Sequence, residues 1–269
     1  MDIKKALFIT QELSPYLPST DIRDHNRKMA QSVVESGVEV RTFMPKYGMI
    51  NERRNQLHEV IRLSGLNIVI DDNDHPLVIK VATMQPTRMQ VYFIDNEDFF
   101  GNAKPGQLEI NDLPEDNDER IIFFVRGVIE TVKRLRWIPQ FVQCSGWVTA
   151  LTPLYMRFMY ADDPTVRESK IIYSLQNTAF DGDLGDGFVQ KLRNDGFDDA
   201  LLKAVIETPA DFKALNKLAI DHADAVVQSV PEVDPELIEY ARNSGKPFMP
   251  FPTDKEFKEA YIEFFHSLL

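Results

Sequence analysis

A regular alternation of short apolar strands and amphipathic helices constrains this chain more than any other feature. An apolar run at 6–10 is followed by a predicted helix at 24–36, which starts at the N-cap candidate Asp24 and stops before Gly37. A second apolar run at 38–43 completes a strand–helix–strand unit. Such units build parallel sheets with helices on both faces, and they place ligands at the carboxyl ends of the strands. The sequence therefore predicts a Rossmann-like α/β fold.

The alternation continues through the rest of the chain. The strongest helical pattern covers residues 116–135, where apolar side chains recur three and four residues apart. Residues 57–94 differ, because short apolar runs alternate there with turn sequences, which predicts a β-hairpin insertion. We therefore expect one domain over 1–269, with a mostly parallel, doubly wound sheet, helices on both faces and the insertion. Further strands are predicted at 141–144, 170–174 and 225–229, and further helices at 235–243 and 254–269.

The charge balance of the chain argues against several classes of partner. With 42 acidic and 30 basic side chains the formal net charge is −12, so the average field repels nucleic acids and anionic membranes. No segment reaches the roughly 18 uncharged apolar residues that span a bilayer. Residues 1–10 lack the apolar core and cleavage site of a signal peptide. We therefore expect a cytoplasmic protein that binds neither nucleic acid nor membrane, and the composition leaves homo-oligomers open.

The sequence offers no convincing metal site. Cys144 is the single cysteine, which excludes an internal disulfide and a multi-cysteine site, and the five histidines lack an i,i+4 pair. Asp181, Asp183 and Asp186 are spaced somewhat like a calcium loop, but the full pattern of ligands is missing. We interpret them as a solvated acidic turn. Neither a metal nor a resident cofactor is predicted.

The first loop carries a recognisable motif. Glu12, Pro15, Tyr16 and Asp24 stand in a pattern that resembles E-x-x-P-[FY]-x-K-x-G-G-L-x-D of the starch and glycogen synthase family. The resemblance implies one half of the two-domain GT-B glycosyltransferase fold. Further segments similar to that family follow in order at 40–50 (VRTFMPKYGMI), 91–101 (VYFIDNEDFFG), 116–130 (DNDERIIFFVRGVIE) and 216–241.

The phosphate-binding part of this motif is altered. Pro18 stands at the lysine position, and Thr20 and Asp21 stand at the two glycines. Proline has no ammonium group to meet a phosphate, and the β-carbons of Thr20 and Asp21 obstruct the close backbone approach that glycines permit. The comparison with the family pattern thus implies a retained scaffold and a lost donor site.

The first strand-end motif has also lost its charged groups. QCSGWVT at 143–149 stands where the family reads H-x-x-D-W-H-[TA], so Gln143 and Val148 replace histidines and Gly146 replaces the aspartate. A neutral amide, a glycine and a valine cannot transfer protons or supply charge. Trp147 matches the family and is expected to pack in the core.

A second strand-end motif follows at 174–182 and reads SLQNTAFDG, where the family reads T-x-H-N-x-x-[YF]-x-G. Asn177 and Phe180 match, whereas Gln176 replaces the histidine. Gln176 can bond a sugar hydroxyl but cannot carry a proton at neutral pH.

Asp116 is the best retained polar position, together with Asn117 and Arg120. In the family this aspartate lies toward the active cleft, where it could contact a sugar or the loop around Gln143. The alternative is a helix N-cap with local bonds, and we favour it because a first-turn acid is stabilised there in any case.

The residues and the resemblance together predict a degenerate starch/glycogen synthase-like domain. We expect it to be inactive as an isolated chain and to retain binding of an α-glucan or of a protein partner. No catalytic residue is assigned, because Pro18, Gly146, Val148 and Gln176 are degenerate, and Asp116 is the retained position. The substrate-binding candidates are Tyr16, Gln143, Gln176, Asn177 and Phe180.

Two alternatives remain open. The chain could be an active glucosyltransferase subunit that moves glucose from ADP-glucose or UDP-glucose to an α-1,4-glucan. A separate chain would then supply the family's C-terminal donor-binding domain, which 1–269 is expected to lack. It could also be a structural subunit that oligomerises through its open face, and exposed apolar residues there would mark that role. The helix at 254–269 is expected to be a terminal packing helix.

Overall fold

The computed structural model describes residues 3–101, 116–252 and 257–268. Its described strands form one sheet of ten strands, ordered β10-β9-β8-β7-β1-β2-β6-β5-β3, with β4 paired to β5. The strands are β1 Lys5–Thr10, β2 Glu39–Pro45, β3 His58–Glu59, β4 Leu66–Ile70, β5 Asn73–Met84, β6 Met89–Asp95, β7 Phe141–Ser145, β8 Lys170–Leu175, β9 Ala225–Gln228 and β10 Phe248–Met249.

Helices alternate with these strands along the chain. Two short turns add to them, a π-helical turn at Glu97–Gly101 and a 3-10 turn at Trp147–Thr149. The α-helices are α1 Asp21–Glu35, α2 Asn117–Leu135, α3 Thr152–Arg157, α4 Gly187–Asn194, α5 Lys203–Ile206, α6 Phe212–His222, α7 Pro235–Asn243 and α8 Phe257–Ser267.

The centre of the sheet is parallel and buried on both faces. β1 lies between β2 and β7, so that Phe8 is in register with Thr42 on one side and Gln143 on the other. From β10 to β6 every neighbouring pair is parallel, and β5 adds the first antiparallel pair. All residues of β1 after Lys5 are buried, although alternate side chains point to opposite faces, so both faces are covered. The predicted α/β class with a mostly parallel sheet is confirmed.

The region 57–94 contributes to the sheet in two ways. β4 and β5 form a hairpin whose turn is made by Asp71 and Asp72, both with positive φ, of 48° and 67°. β6, however, pairs in parallel with β2 and belongs to the main sheet. Thus β4 and β5 form a hairpin as predicted for this segment, whereas β6 extends the parallel part of the main sheet.

The first helix begins three residues earlier than predicted. Thr20 is its N-cap, with extended backbone and a side-chain oxygen that accepts a hydrogen bond from the backbone N–H of Arg23 at 3.3 Å. The predicted N-cap Asp24 is wrong, because this residue lies in the first turn and its carboxylate accepts from Ser19. Threonine and serine offer the same capping oxygen as aspartate, so composition alone did not choose between them.

The terminal helix α8 packs against α1, and residues 254–256 and 269 of the predicted helix lie outside the described residues. Tyr261 and Phe265 are buried, and the Phe265 ring stacks on Phe141 with centroids 5.5 Å apart. Tyr261 also lies within hydrogen-bond distance of His25, 3.3 Å from its Nε2. In the described part of the chain, no helix is long and apolar enough to cross a membrane.

Candidate functional site

The candidate site is the edge of the sheet where β1, β7, β8 and β9 end. The loops that leave these strands are 11–20, 146–151, 176–186 and 229–234, and we call them together the carboxyl edge. Parallel strands of a doubly wound sheet present their ligand crevice at this edge.

A buried ion pair organises the first of these loops. The Arg23 guanidinium donates from Nε to Glu12 Oε2 at 2.5 Å, with 3% and 6% of the two side chains exposed. Arg23 also donates from Nη1 to the carbonyl of Pro18 at 2.9 Å. The loop is thus bound to the start of α1, and the guanidinium of Arg23 in that helix is paired with groups of the protein itself. The sequence-based interpretation missed Arg23, although a buried Glu12 requires a cationic partner.

Neutral amides form the floor of the carboxyl edge. Gln176, 3% exposed, donates from Nε2 to Asn26 Oδ1 at 2.7 Å, and Asn26 donates to Thr10 Oγ1 at 3.1 Å. Gln143, 1% exposed, donates to Ser174 Oγ on the next strand. The Oε1 atoms of both glutamines are buried without a hydrogen-bond partner among the described residues. The two amide oxygens are therefore buried acceptors, and neither glutamine titrates.

Gly146 permits the close approach of two loops. Its φ is +89°, and a β-carbon built there would lie 2.7 Å from Gln11 Cβ and 2.8 Å from Gln11 Oε1. Its carbonyl accepts from the Thr149 hydroxyl at 2.7 Å, which shapes the 3-10 turn. Trp147 and Val148 in that turn are fully buried, as expected for a packing role of Trp147. Position 146 therefore has no room for a side chain.

The two aromatic candidates have their faces covered. Tyr16 meets Phe93 edge-on with centroids 4.9 Å apart, and burial raises the pKa of Tyr16 to about 12. Phe180 lies 4.7 Å from Trp147 and 6.1 Å from Phe212, measured between ring centroids. Both rings are more than nine-tenths buried.

Of the five residues predicted to bind substrate, Asn177 is the one whose side chain is exposed. Pro18, at the degenerate lysine position, is exposed as well, whereas Val148 is buried. The structure thus places Tyr16, Gln176, Asn177 and Phe180 in loops of the carboxyl edge, and Gln143 inside β7. Their role in binding stays a prediction.

Asp116 stands at the N-cap of α2 but does not cap it. Its side chain makes no capping hydrogen bond and instead forms an ion pair with Arg120 one turn later, so the predicted capping bond is wrong. Arg120 is buried and also donates to Asn117 Oδ1 and, at 2.8 Å, to the carbonyl of Phe99. Burial lowers the pKa of Arg120. The guanidinium attracts the carboxylate away from the backbone, and the cluster fixes the π-helical turn to α2.

The remaining candidates carry no site chemistry. Cys144 is buried, and burial raises the pKa of its thiol to about 12, so no thiolate is available at neutral pH. Asp181, Asp183 and Asp186 are exposed, and Asp183 bonds the backbone N–H of Gly185 at 2.8 Å. Within the described residues, no group of three or more potential ligands could hold a metal ion.

The fold and its loop-lined edge define a Rossmann-like domain with a ligand crevice at the carboxyl ends of its central strands. A family model described as the starch synthase catalytic domain matches residues 5–245, and the chain belongs to this family. It is a starch/glycogen synthase-like glycosyltransferase N-terminal domain.

Individual relatives agree with this assignment. The chain is 35% identical over 196 residues to a glycogen synthase of Chlorobium chlorochromatii, which covers 71% of the chain and 39% of the relative. It is 31% identical over 268 residues to a glycogen synthase of Chlorobaculum tepidum, covering 98% of the chain and 52% of the relative. The chain thus spans about half the length of these relatives.

A solved structure has the same fold. The catalytic domain of starch synthase IV from Arabidopsis thaliana, bound to ADP and acarbose, superposes with a TM-score of 0.71. The match covers 93% of this chain and 51% of that one, at 16% sequence identity. At this identity the likeness establishes the fold alone.

Proposed function

We propose that this chain is a degenerate starch/glycogen synthase-like domain that does not transfer glucose on its own and uses its carboxyl edge for binding. The observation that carries the proposal is the chemistry of that edge. Its floor is neutral, and its buried arginine is already paired. The ligand is an α-glucan or a protein partner.

The four loops of the carboxyl edge contain no lysine or arginine that could meet the phosphates of a donor. A sugar nucleotide brings two phosphates, whose charge must be met by basic side chains or by free backbone N–H groups. At the carboxyl edge Arg23 is held by Glu12 and by the Pro18 carbonyl, and Pro18 itself has no ammonium group. The family's glycines are replaced by the N-cap Thr20 and by Asp21, whose carboxylate would repel a phosphate. The edge therefore disfavours ADP-glucose and UDP-glucose.

The transition state lacks support as well. Glucosyl transfer builds positive charge on the sugar, and preorganised charged groups stabilise such a transition state best. Gly146 stands where the family has an aspartate, and Gln11 occupies the space that its side chain would need. Gln176 replaces a histidine and bonds Asn26. None of these groups changes its charge near neutral pH.

Binding of the sugar nucleotide is the direct test. We expect titration calorimetry with ADP-glucose and UDP-glucose to detect no binding tighter than about millimolar, and labelled glucose not to enter glycogen. The glycogen synthase of Chlorobaculum tepidum, assayed in parallel, is the positive control. A micromolar dissociation constant, equivalent to about −8 kcal/mol, would refute the loss of the donor site.

Retained glucan binding has its own test. Glycogen co-sedimentation should bring down the wild type and less of an Asn177→Ala variant, because Asn177 is the exposed amide of the edge. Asn67→Ala, which removes an exposed amide from β4, is the matched control. Equal sedimentation of both variants would argue against a glucan at Asn177. Alanine at Tyr16, Gln176 or Phe180 removes a buried side chain and is less suitable, since it perturbs packing.

An active subunit is the second candidate, and it is supported by the relatives at 35% and 31% identity, which are glycogen synthases. A separate chain would hold the nucleotide, and this chain would orient the acceptor. Donor binding and glucosyl transfer that appear when a copurifying chain is present, and vanish when it is removed, would support this candidate.

The purely structural alternative, a subunit that oligomerises through its open face, is weaker. It would require exposed apolar residues at the carboxyl edge, and most of the large exposed apolar side chains that the structure describes lie outside its four loops: Ile61, Val69, Ile138 and Phe158. Ile206 lies beside the 181–186 turn.

A further inference from the structure

A groove runs along the carboxyl edge between α1 and the loop after β9. Two adjoining hollows of about 440 and 500 Å³ form it, and they share Asp21, Val230 and Pro231 in their walls. Phe251 lines the first hollow and Asn177 the second. We call this feature the edge groove. Its extended shape suits a chain segment better than a compact ligand.

The walls of the edge groove combine apolar and anionic groups. Asp21, in α1, and Glu232, in the loop after β9, are exposed, and neither forms an ion pair with any residue that the structure describes. Asp24 is also exposed, and hydrogen bonds from Ser14 and Ser19 lower the pKa of its carboxyl, so it stays ionised. Three carboxylates therefore line the groove.

Positive charge in the groove is smaller. Lys28 is the basic side chain among the described lining residues. His25 lies in the same wall, and burial lowers its pKa to about 4, so it is neutral at pH 7. At that pH the described lining residues carry three carboxylates and one ammonium group, so the groove attracts a basic segment.

We propose that the edge groove binds an extended basic segment of a second protein, with arginine or lysine side chains meeting Asp21 and Glu232. Apolar side chains of the segment pack between these carboxylates against Val230, Pro231 and Phe251. Arginine fits best, because its planar guanidinium can donate two hydrogen bonds to one carboxylate. This inference rests on the proposed binding role of the edge and names its partner. A neutral glucan would leave the carboxylates without compensating charge, so the groove favours the protein.

A short capped peptide of alternating arginine and leucine is a suitable probe. We expect the wild type to bind it, and a variant with Asp21→Asn and Glu232→Gln to bind it at least about tenfold more weakly, because charge-assisted hydrogen bonds are lost. The matched control carries Glu59→Gln and Asp162→Asn, which remove two exposed carboxylates outside the groove lining and change the net charge equally. It should bind as the wild type does. Binding should also weaken with salt.

Three outcomes would overturn the proposal. Equal weakening in both double variants would mean that the peptide responds to net charge and not to the groove. If the peptide does not bind to the wild type, the proposed basic partner is ruled out. If maltoheptaose binds to the wild type, and binds to the variant with Asp21→Asn and Glu232→Gln as weakly as we expect for the peptide, the ligand of the groove is a glucan and not a protein. Titration with ADP-glucose and UDP-glucose tests the loss of the donor site independently. If the peptide experiment fails, the conclusion from that titration is unchanged.

Discussion

The side chain of Gln11 and any side chain at position 146 exclude each other. A β-carbon at Gly146 would approach Gln11 Cβ to 2.7 Å, well inside van der Waals contact. The loops after β1 and β7 are also bonded there, by a hydrogen bond of 2.9 Å from the Gln11 N–H to the Ser145 carbonyl. The departure from the family at position 146 is therefore coupled to the residue at position 11, which lies in a different loop.

This coupling predicts a specific pattern of stability. Gly146→Ala should cost about 2–5 kcal/mol, from the overlap and from the positive φ of a residue with a β-carbon. Gln11→Ala should not relieve it, because the nearest atom is the β-carbon that alanine keeps. Gln11→Gly should relieve the overlap and leave about 1–2 kcal/mol of backbone strain. Urea unfolding of the single and double variants measures the coupling, and equal relief by alanine and glycine would contradict it.

The buried ion pair of Glu12 and Arg23 predicts the outcome of a second double-mutant cycle. Glu12→Gln should destabilise the protein by about 3–5 kcal/mol, because it leaves the Arg23 charge buried and uncompensated. The double variant Glu12→Gln with Arg23→Met should be more stable than Glu12→Gln alone, since it removes that charge. Chemical unfolding checks both values. The exposed pair of Lys203 and Glu207 is the control, and breaking it should cost less than about 1 kcal/mol.

Phe180 and Asn177 should separate packing from binding. Phe180→Ala should lower stability by about 3–5 kcal/mol, since its ring fills space against Trp147 and Phe212. Asn177→Ala should change stability by less than about 0.5 kcal/mol, because its side chain is exposed. Thermal and urea unfolding test this difference. A small effect at Phe180 would mean that its ring is available to a ligand after all.

His25 makes stability depend on acid pH. Burial lowers its pKa from 6.5 to about 4, and nearby Lys28 acts in the same direction. The unfolded chain therefore binds a proton at higher pH than the folded one. The resulting stability is fully present above about pH 6.5 and is lost as the pH falls toward 4, by up to about 3 kcal/mol.

Unfolding free energies between pH 4 and 7 would measure this loss. His25→Gln, which keeps a polar group near Tyr261, should flatten the profile. His266→Gln, at an exposed position of α8, should leave it unchanged. An unchanged slope in His25→Gln would assign the acid sensitivity to other groups.

Rebuilding the phosphate loop should not create an enzyme. A variant with Pro18→Lys, Thr20→Gly and Asp21→Gly should fold, because glycine replaces a threonine N-cap at a cost of a few tenths of a kcal/mol. It should not incorporate labelled glucose into glycogen, because Gly146 and Gln176 still lack charge and catalytic groups act as a unit. Incorporation of glucose by this variant alone would show that the replaced residues in the two strand-end motifs are not decisive.

The sequence by itself determined the class of fold and the family. Apolar periodicity is a local property, and it predicted β1, β2, β7, β8, β9 and α2 within a few residues of their observed bounds. It did not predict that β6 pairs in parallel with β2, nor did it predict β10. The motifs at 12–24, 40–50 and 116–130 predicted the starch and glycogen synthase family, which the family match confirms. The replaced residues were also readable directly from the sequence.

Only the tertiary structure decided which of those residues reach solvent and which bind each other. Gln176 and Phe180 follow the end of β8 as predicted, and Gln143 lies inside β7, yet neighbouring elements distant in sequence bury all three. Gln176 bonds Asn26 across 150 positions, and Gln11 meets position 146 across a strand pair. Burial and hydrogen-bond choice depend on these long-range contacts, which no local pattern encodes. For the same reason the edge groove, whose walls come from α1 and the loop after β9, was not visible in the sequence.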